Sequence, residues 1–180
     1  MPSPLWANVD RMTLNLANVY SQASEGDKAQ GLAWYPEAHA IVRAWAQTYS
    51  RSIGNVAAIV AALSPQCPWP LNLIVADDLL AGRGPSVPNG PLHANIRKAR
   101  GLVDSYSHDI VKVFPGGPKV ASFAVNLAGD YFSAVTIDAH ALQAAIADPT
   151  VSKGLRWSAY CAIVEAYRRA SQGFGLPPAY

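Results

Sequence analysis

The sequence predicts an all-α fold, a compact helical domain, on three observations. Alanine is abundant, 31 of 180 residues, and no residue favours a helix more. No stretch alternates apolar and polar residues for long enough to make a half-buried strand. Proline stands at or just before several apolar helical runs, at Pro70, Pro91 and Pro118, where its absent N–H is not missed and its fixed φ suits a first turn.

Taken in order, residues 1–30 are polar and weakly periodic, and are expected as a poorly defined arm with one helix near 11–21. Residues 31–180 are expected as a single helical domain. Its helices fall at 39–49, 54–63 and 70–81, the last opened by Pro70. The glycine- and proline-rich loop 82–90 breaks the pattern before a helix at 91–105. Phe114-Pro115-Gly116-Gly117 makes a tight turn into a helix at 118–128, and a helix at 138–147 is stopped by Asp148-Pro149. A last helix at 155–171 carries Trp157-x-x-Tyr160 and Tyr167-Arg168-Arg169, and is read as packing its apolar face with the arginines in solvent.

Composition narrows the classes. A chain 51% hydrophobic and 14% charged buries a core without a disulfide or metal staple. Cys67 and Cys161 cannot supply a four-thiolate zinc or iron–sulfur site, and they fit a reduced compartment. The four histidines lack ligand spacing, so no metal and no other cofactor is expected. No run reaches the roughly 20 apolar residues that span a bilayer, and the N-terminus has neither a basic start nor an apolar core. The expectation is a cytoplasmic protein without a membrane partner.

The formal net charge of +2 is small for a nucleic-acid partner. It is unevenly spread. Residues 1–82 hold four Lys+Arg and six Asp+Glu, and residues 83–180 hold ten and six, giving −2 and +4. On charge alone this is equally an ordinary solvated surface.

Chemistry concentrates in two segments. In the first, Phe114-Pro115-Gly116-Gly117-Pro118-Lys119-Val120-Ala121 runs from a turn into a new helix. Glycines let a backbone approach a phosphate closely, and a helix N-terminus adds partial positive charge. On the turn alone, a plain helix–helix connection is the favoured reading. The second is Val135-Thr136-Ile137-Asp138-Ala139-His140, in which Asp138 reads as a helix N-cap.

The ordered combination resembles the helix-hairpin-helix DNA glycosylase superfamily, which includes endonuclease III, the adenine glycosylases and 8-oxoguanine DNA glycosylase. That family has a Pro-Gly hairpin, a lysine just after it in lyase members, and an aspartate in a Val-Asp-x-His context. Lys119 and, 19 residues on, Asp138 match those two positions, and His140 matches the histidine that supports a phosphate contact. Leu63-Ser64-Pro65-Gln66 and Asn72 resemble the family's early Leu-Ser-x-Gln segment, and His93-Ala94-Asn95-Ile96-Arg97-Lys98-Ala99 its short Lys-Ala helix. The likeness covers about residues 56–147. The residue between the hairpin glycines is absent, Gly116 and Gly117 being adjacent, and no four-cysteine cluster follows. The resemblance is therefore to cluster-free members, closest in motif to 8-oxoguanine DNA glycosylase.

The resemblance implies a helix-hairpin-helix motif at 113–123 and a DNA glycosylase with AP-lyase activity in base excision repair. Asp138 would stabilise charge on the sugar, and Lys119, if partly buried, would attack it as an amine. An exposed Lys119 would instead contact phosphate, leaving a monofunctional enzyme. Gln66 would fill the gap left by the extruded nucleotide, while Phe114, Pro115, Gly116, Gly117 and His140 would hold the DNA backbone. Tyr35 and Trp69 stand beside these segments as base-stacking residues or as core. The partner implied is double-stranded DNA with a damaged or modified base, bound by a monomer associated with the nucleoid. The same residues also fit a phage-type transferase that hypermodifies DNA bases, or a non-catalytic helix-hairpin-helix DNA-binding module.

Overall fold

The computed structural model describes residues 8–87, 90–105, 117–151 and 155–179. Among these residues there are eight helices and no strand: α1 Val9–Gln22, α2 Glu25–Thr48, α3 Ile53–Leu63, α4 Trp69–Leu80, α5 His93–Ser105, α6 Pro118–Leu127, α7 Ala139–Ile146 and α8 Trp157–Phe174. The expected all-α class is thus the observed one. No described helix is long and apolar enough to cross a membrane.

The chain divides into two compact units, one of Met1–Trp34 with Tyr131–Tyr180, the other of Tyr35–Asp130. Residues 31–180, expected as one domain, are therefore shared between the two. The boundary at Trp34 falls within α2, just before Pro36, whose ring nitrogen has no hydrogen to donate to the Leu32 carbonyl.

Residues 8–30 of the expected arm carry α1, which spans the helix expected near 11–21, and the start of α2. Asn8 caps α1 by accepting the Arg11 N–H at 2.9 Å. Ser24 and Asp27 cap α2 reciprocally, the Ser24 N–H reaching the Asp27 carboxylate at 3.2 Å and the Asp27 N–H the Ser24 hydroxyl at 3.1 Å. The Ser24 hydroxyl, which donates to the same carboxylate at 2.6 Å, and then the Ser24 N–H hold the Asp27 carboxyl below its ordinary range. Met12 and Leu16, one turn apart on α1, are buried with Val135, Ile137, Leu142 and Ile163 in the core of the first unit. Asn15 adds a side-chain bond from its Nδ2 to the Ala145 carbonyl of α7, 2.9 Å long.

The second unit is organised around α3. Every residue from Asn55 to Leu63 is buried, and α4, α5 and α6 pack against this helix. An α-helix apolar on all sides must be enclosed in this way. Its one internal polar side chain, Asn55, donates to the Leu102 carbonyl at 3.1 Å and accepts from Arg51 at 3.0 Å. Asn72 of α4, fully buried, donates to the Val60 carbonyl at 3.1 Å.

The loop after α4 is fastened by charge. Asp78 accepts the Ser86 N–H at 2.8 Å and Arg83 Nε at 3.0 Å, while Arg83 Nη2 reaches Asp77 at 2.7 Å. Tyr49 donates its hydroxyl to the same Asp77. Hydrogen bonds from Ser86, and then from Arg83, hold the Asp78 carboxyl below the usual carboxylate range.

His39 of α2 meets the end of α6. Its Nδ1 lies 2.9 Å from the Leu127 carbonyl oxygen, and a carbonyl only accepts, so Nδ1 carries the proton. The ring lies against Gly129, which has a φ of 100° and would place a Cβ 2.9 Å from His39 Cε1. Gly129→Ala is expected to lose about 2 kcal/mol of unfolding free energy, from overpacking and a forced left-handed φ, measured by urea denaturation.

A carboxyl with a lowered folded pKa contributes stability that is present above its unfolded value, about 4. That contribution is lost as pH falls through the folded value. The urea midpoint is accordingly expected to decline below about pH 4, and to decline less steeply in Asp78→Asn.

Candidate functional site

Asp138 is set by the segment before it. Val135 and Ile137 turn into the core, each 3% exposed, as alternate residues of an extended run do. The Tyr160 hydroxyl of α8 donates to the Val135 carbonyl at 2.7 Å and accepts the Ile137 N–H at 3.3 Å. One phenol thus pins the two backbone groups that lead into Asp138. Asp138 is extended, with φ −96° and ψ −170°, and its Oδ1 accepts the Ala141 N–H at 2.8 Å as the N-cap of α7. Its second carboxylate oxygen has no hydrogen-bond partner among the described residues.

Tyr167 of α8 supports the same turn, donating its hydroxyl to the Ala141 carbonyl at 3.0 Å. Burial, and secondarily the charge of Asp138, push its phenol far above the ordinary value. It therefore remains a neutral donor. His140 is exposed on the first turn of α7.

Lys119 stands in the other unit, at the second position of α6. Gly117 is the N-cap, Pro118 opens the helix, and the first turn closes through the Ala121 N–H to the Gly117 carbonyl at 3.1 Å. The lysine is exposed. Phe114, Pro115 and Gly116 lie outside the described residues, so only the helical side of the expected hairpin is observed.

Gln66 is exposed in the turn between α3 and α4 with a left-handed φ of 59°, a conformation that costs a side-chain-bearing residue about 1–2 kcal/mol. The turn is held by the Cys67 N–H on the Ser64 carbonyl at 3.1 Å and by Asn95 Nδ2 on the Pro65 carbonyl at 3.2 Å. Tyr35 and Trp69 are half-buried, their ring centroids 6.4 and 6.3 Å from that of Phe123 on α6. The structure thus brings Tyr35 and Trp69 together on the helix of Lys119. It assigns Lys119 and Asp138 to different units.

The chain belongs to DUF7178, a family of unknown function. The match covers residues 5–180, so it takes in both units and every residue considered above. No curated protein and no solved structure matches the chain.

A cavity of about 250 Å³ opens in the first unit of this DUF7178 member, lined by Leu16, Tyr20, Lys28, Ala144, Tyr167 and Phe174 among others. None of the residues expected at the site lines it. Its polar neighbours are satisfied within the chain: Lys28 donates to Glu25 at 2.7 Å and Tyr167 to Ala141.

Tyr160 and Tyr167 are the residues that sequence reasoning did not assign to the Asp138 turn. Their spacing from Tyr160 to Tyr167, two helical turns along α8, places both on one face, which is the available signal. Tyr160→Phe strands the buried Val135 carbonyl and is expected to cost about 2 kcal/mol in chemical denaturation. Asp138→Ala, by removing the cap, is expected to cost about 1 kcal/mol, and Asp138→Asn, which can still cap, far less.

Proposed function

We propose that this protein is a DNA glycosylase with AP-lyase activity, built on a helix-hairpin-helix motif, that acts on a damaged or modified base. The observation that carries the reading is one ordered pair. Lys119 follows a Pro-Gly-Gly turn at the start of a helix, and Asp138, 19 residues later, caps another in an Ile-Asp-x-His context.

Extruding the target nucleotide costs a few kcal/mol of stacking and pairing, and Gln66, already held in a strained and exposed turn, fills the gap. Strain of this kind concentrates at functional positions. The base departs with the electron pair of the N-glycosidic bond and takes up a proton. Positive charge then develops on the sugar, and the Asp138 carboxylate, fixed by its cap and with one oxygen unpartnered, stabilises it. Lys119 Nζ bonds to C1′, the ring oxygen leaves that carbon with a proton, and an imine results. Loss of a C2′ proton then expels the 3′ oxygen and nicks the strand. Attack requires an unprotonated amine. Gly116 and Gly117 hold phosphate through backbone N–H groups, with Pro115 shaping the turn and His140 in support, so little net positive charge is needed.

A second reading follows from the exposure of Lys119 in the protein free of DNA. A solvated ammonium at a helix N-terminus suits a phosphate contact, and water would then attack the sugar in a monofunctional glycosylase.

Incubation with duplexes bearing 8-oxoguanine, uracil or an abasic site, followed by borohydride reduction, tests both. A covalent adduct on the abasic duplex is expected, absent in Lys119→Ala. Base release is expected to fall about 100-fold in Asp138→Asn. Base release without an adduct selects the monofunctional reading. Salt-dependent binding with neither product nor adduct overturns catalysis in favour of a DNA-binding module.

A further inference from the structure

The sequence places Trp157 on a packed helix face, yet it is 67% exposed at the start of α8. The same helix buries Ala159, Tyr160, Ile163 and Ala166, and leaves the indole in water. Its ring lies parallel to that of Tyr160, with 3° between the planes and 6.1 Å between centroids. The indole thus runs parallel to the Tyr160 ring, with its outer face open. The Tyr160 hydroxyl bonds the Val135 carbonyl and the Ile137 N–H, and Ile137 directly precedes Asp138. The exposed ring is thus tied, through one side chain, to the backbone that sets the Asp138 carboxylate.

Charge adds a second indication. Arg156, immediately before Trp157, is exposed and makes no ion pair among the described residues. On the same unit Arg169 is, by contrast, paired with Glu165 at 2.8 Å and Asp10 at 2.9 Å. A flat apolar surface beside an unpaired guanidinium suits a ligand that is aromatic and anionic together. A nucleotide has that chemistry.

We propose that Trp157 and Arg156 form a nucleotide platform, the indole stacking on a base that flanks the nucleotide acted on by Asp138 and the guanidinium holding its phosphate. This rests on the glycosylase reading above and extends it by naming where the neighbouring nucleotide is gripped. Stacking tolerates any base. The platform therefore adds affinity without choosing sequence.

The test is binding of a fluorescein-labelled duplex with a central abasic site, followed by anisotropy, alongside base release by the same preparations. Trp157→Ala is expected to weaken binding about tenfold, and Trp157→Phe to restore it to within about threefold, which a merely structural role would not do. Arg156→Ala is expected to weaken binding and to reduce the slope of log Kd against log salt by about 1. With 2-aminopurine placed beside the abasic site, wild-type protein is expected to quench its emission and Trp157→Ala is not. Free deoxyadenosine monophosphate is the control, and its failure to compete at equal concentration assigns the platform to a DNA strand. If wild-type protein releases base and Trp157→Ala binds DNA unchanged, the platform is overturned while the glycosylase reading stands. If wild-type protein neither binds DNA nor releases base, both are overturned. A change in sedimentation from dimer to monomer in Trp157→Ala, with DNA affinity intact, assigns the ring to self-association and overturns the platform.

Discussion

With Asn55 to Leu63 all out of water, α3 has no face left for solvent, and α4, α5 and α6 are obliged to cover it. Two of the polar side chains buried in this unit tie the packing together. Asn55 is bonded to α5 and Asn72 to α3 itself, which fixes rotation as well as contact, since a hydrogen bond is directional where apolar packing is not. The position of α6, and with it Lys119, follows from this arrangement. His39 closes it from α2 by bonding the carbonyl of Leu127. Lys119 at the start of α6 stays exposed while Phe123, one turn on, anchors the same helix against Tyr35 and Trp69.

The first unit solves a different problem. Asp138 lies at the end of a segment that pairs with no strand among the described residues. Tyr160 bonds two of its backbone groups from one hydroxyl, as donor to the Val135 carbonyl and acceptor from the Ile137 N–H. A buried carbonyl or amide without such a partner costs about as much as a lost hydrogen bond. Rigidity of the carboxylate is thus a by-product of satisfying the backbone, and the neutral Tyr167 completes it without adding charge.

Several of these features were legible in the sequence. Pro118 marked the start of α6, and Asp138 was readable as a cap because an aspartate before an apolar helical run has few other uses. The reach of α2 was harder to see. Gly26, Gly31 and Pro36 argue against a helix there, and only the Ser24–Asp27 pair, a short-range capping signal, argues for it. Tyr160 was beyond local reasoning, since its partners are 25 and 23 residues away. The exposure of Trp157 was likewise unreadable, because helical spacing gives a face but not what the face meets. Tyr35 and Trp69 stood between core and base stacking in the sequence, and the structure gives both a ring neighbour on α6.

The first unit draws its core from both ends of the chain, Met12 and Leu16 from α1 meeting Ile163 and Ala166 from α8. A ribosome makes α1 first and α8 last. The Tyr35–Asp130 unit is continuous, so all its contacts are available once residue 130 has emerged. During that interval the apolar stripe of α1 waits without its partners. The order of biosynthesis is therefore written into the topology: the α3-centred unit can close early, and the environment of Asp138 is completed only when synthesis reaches α8.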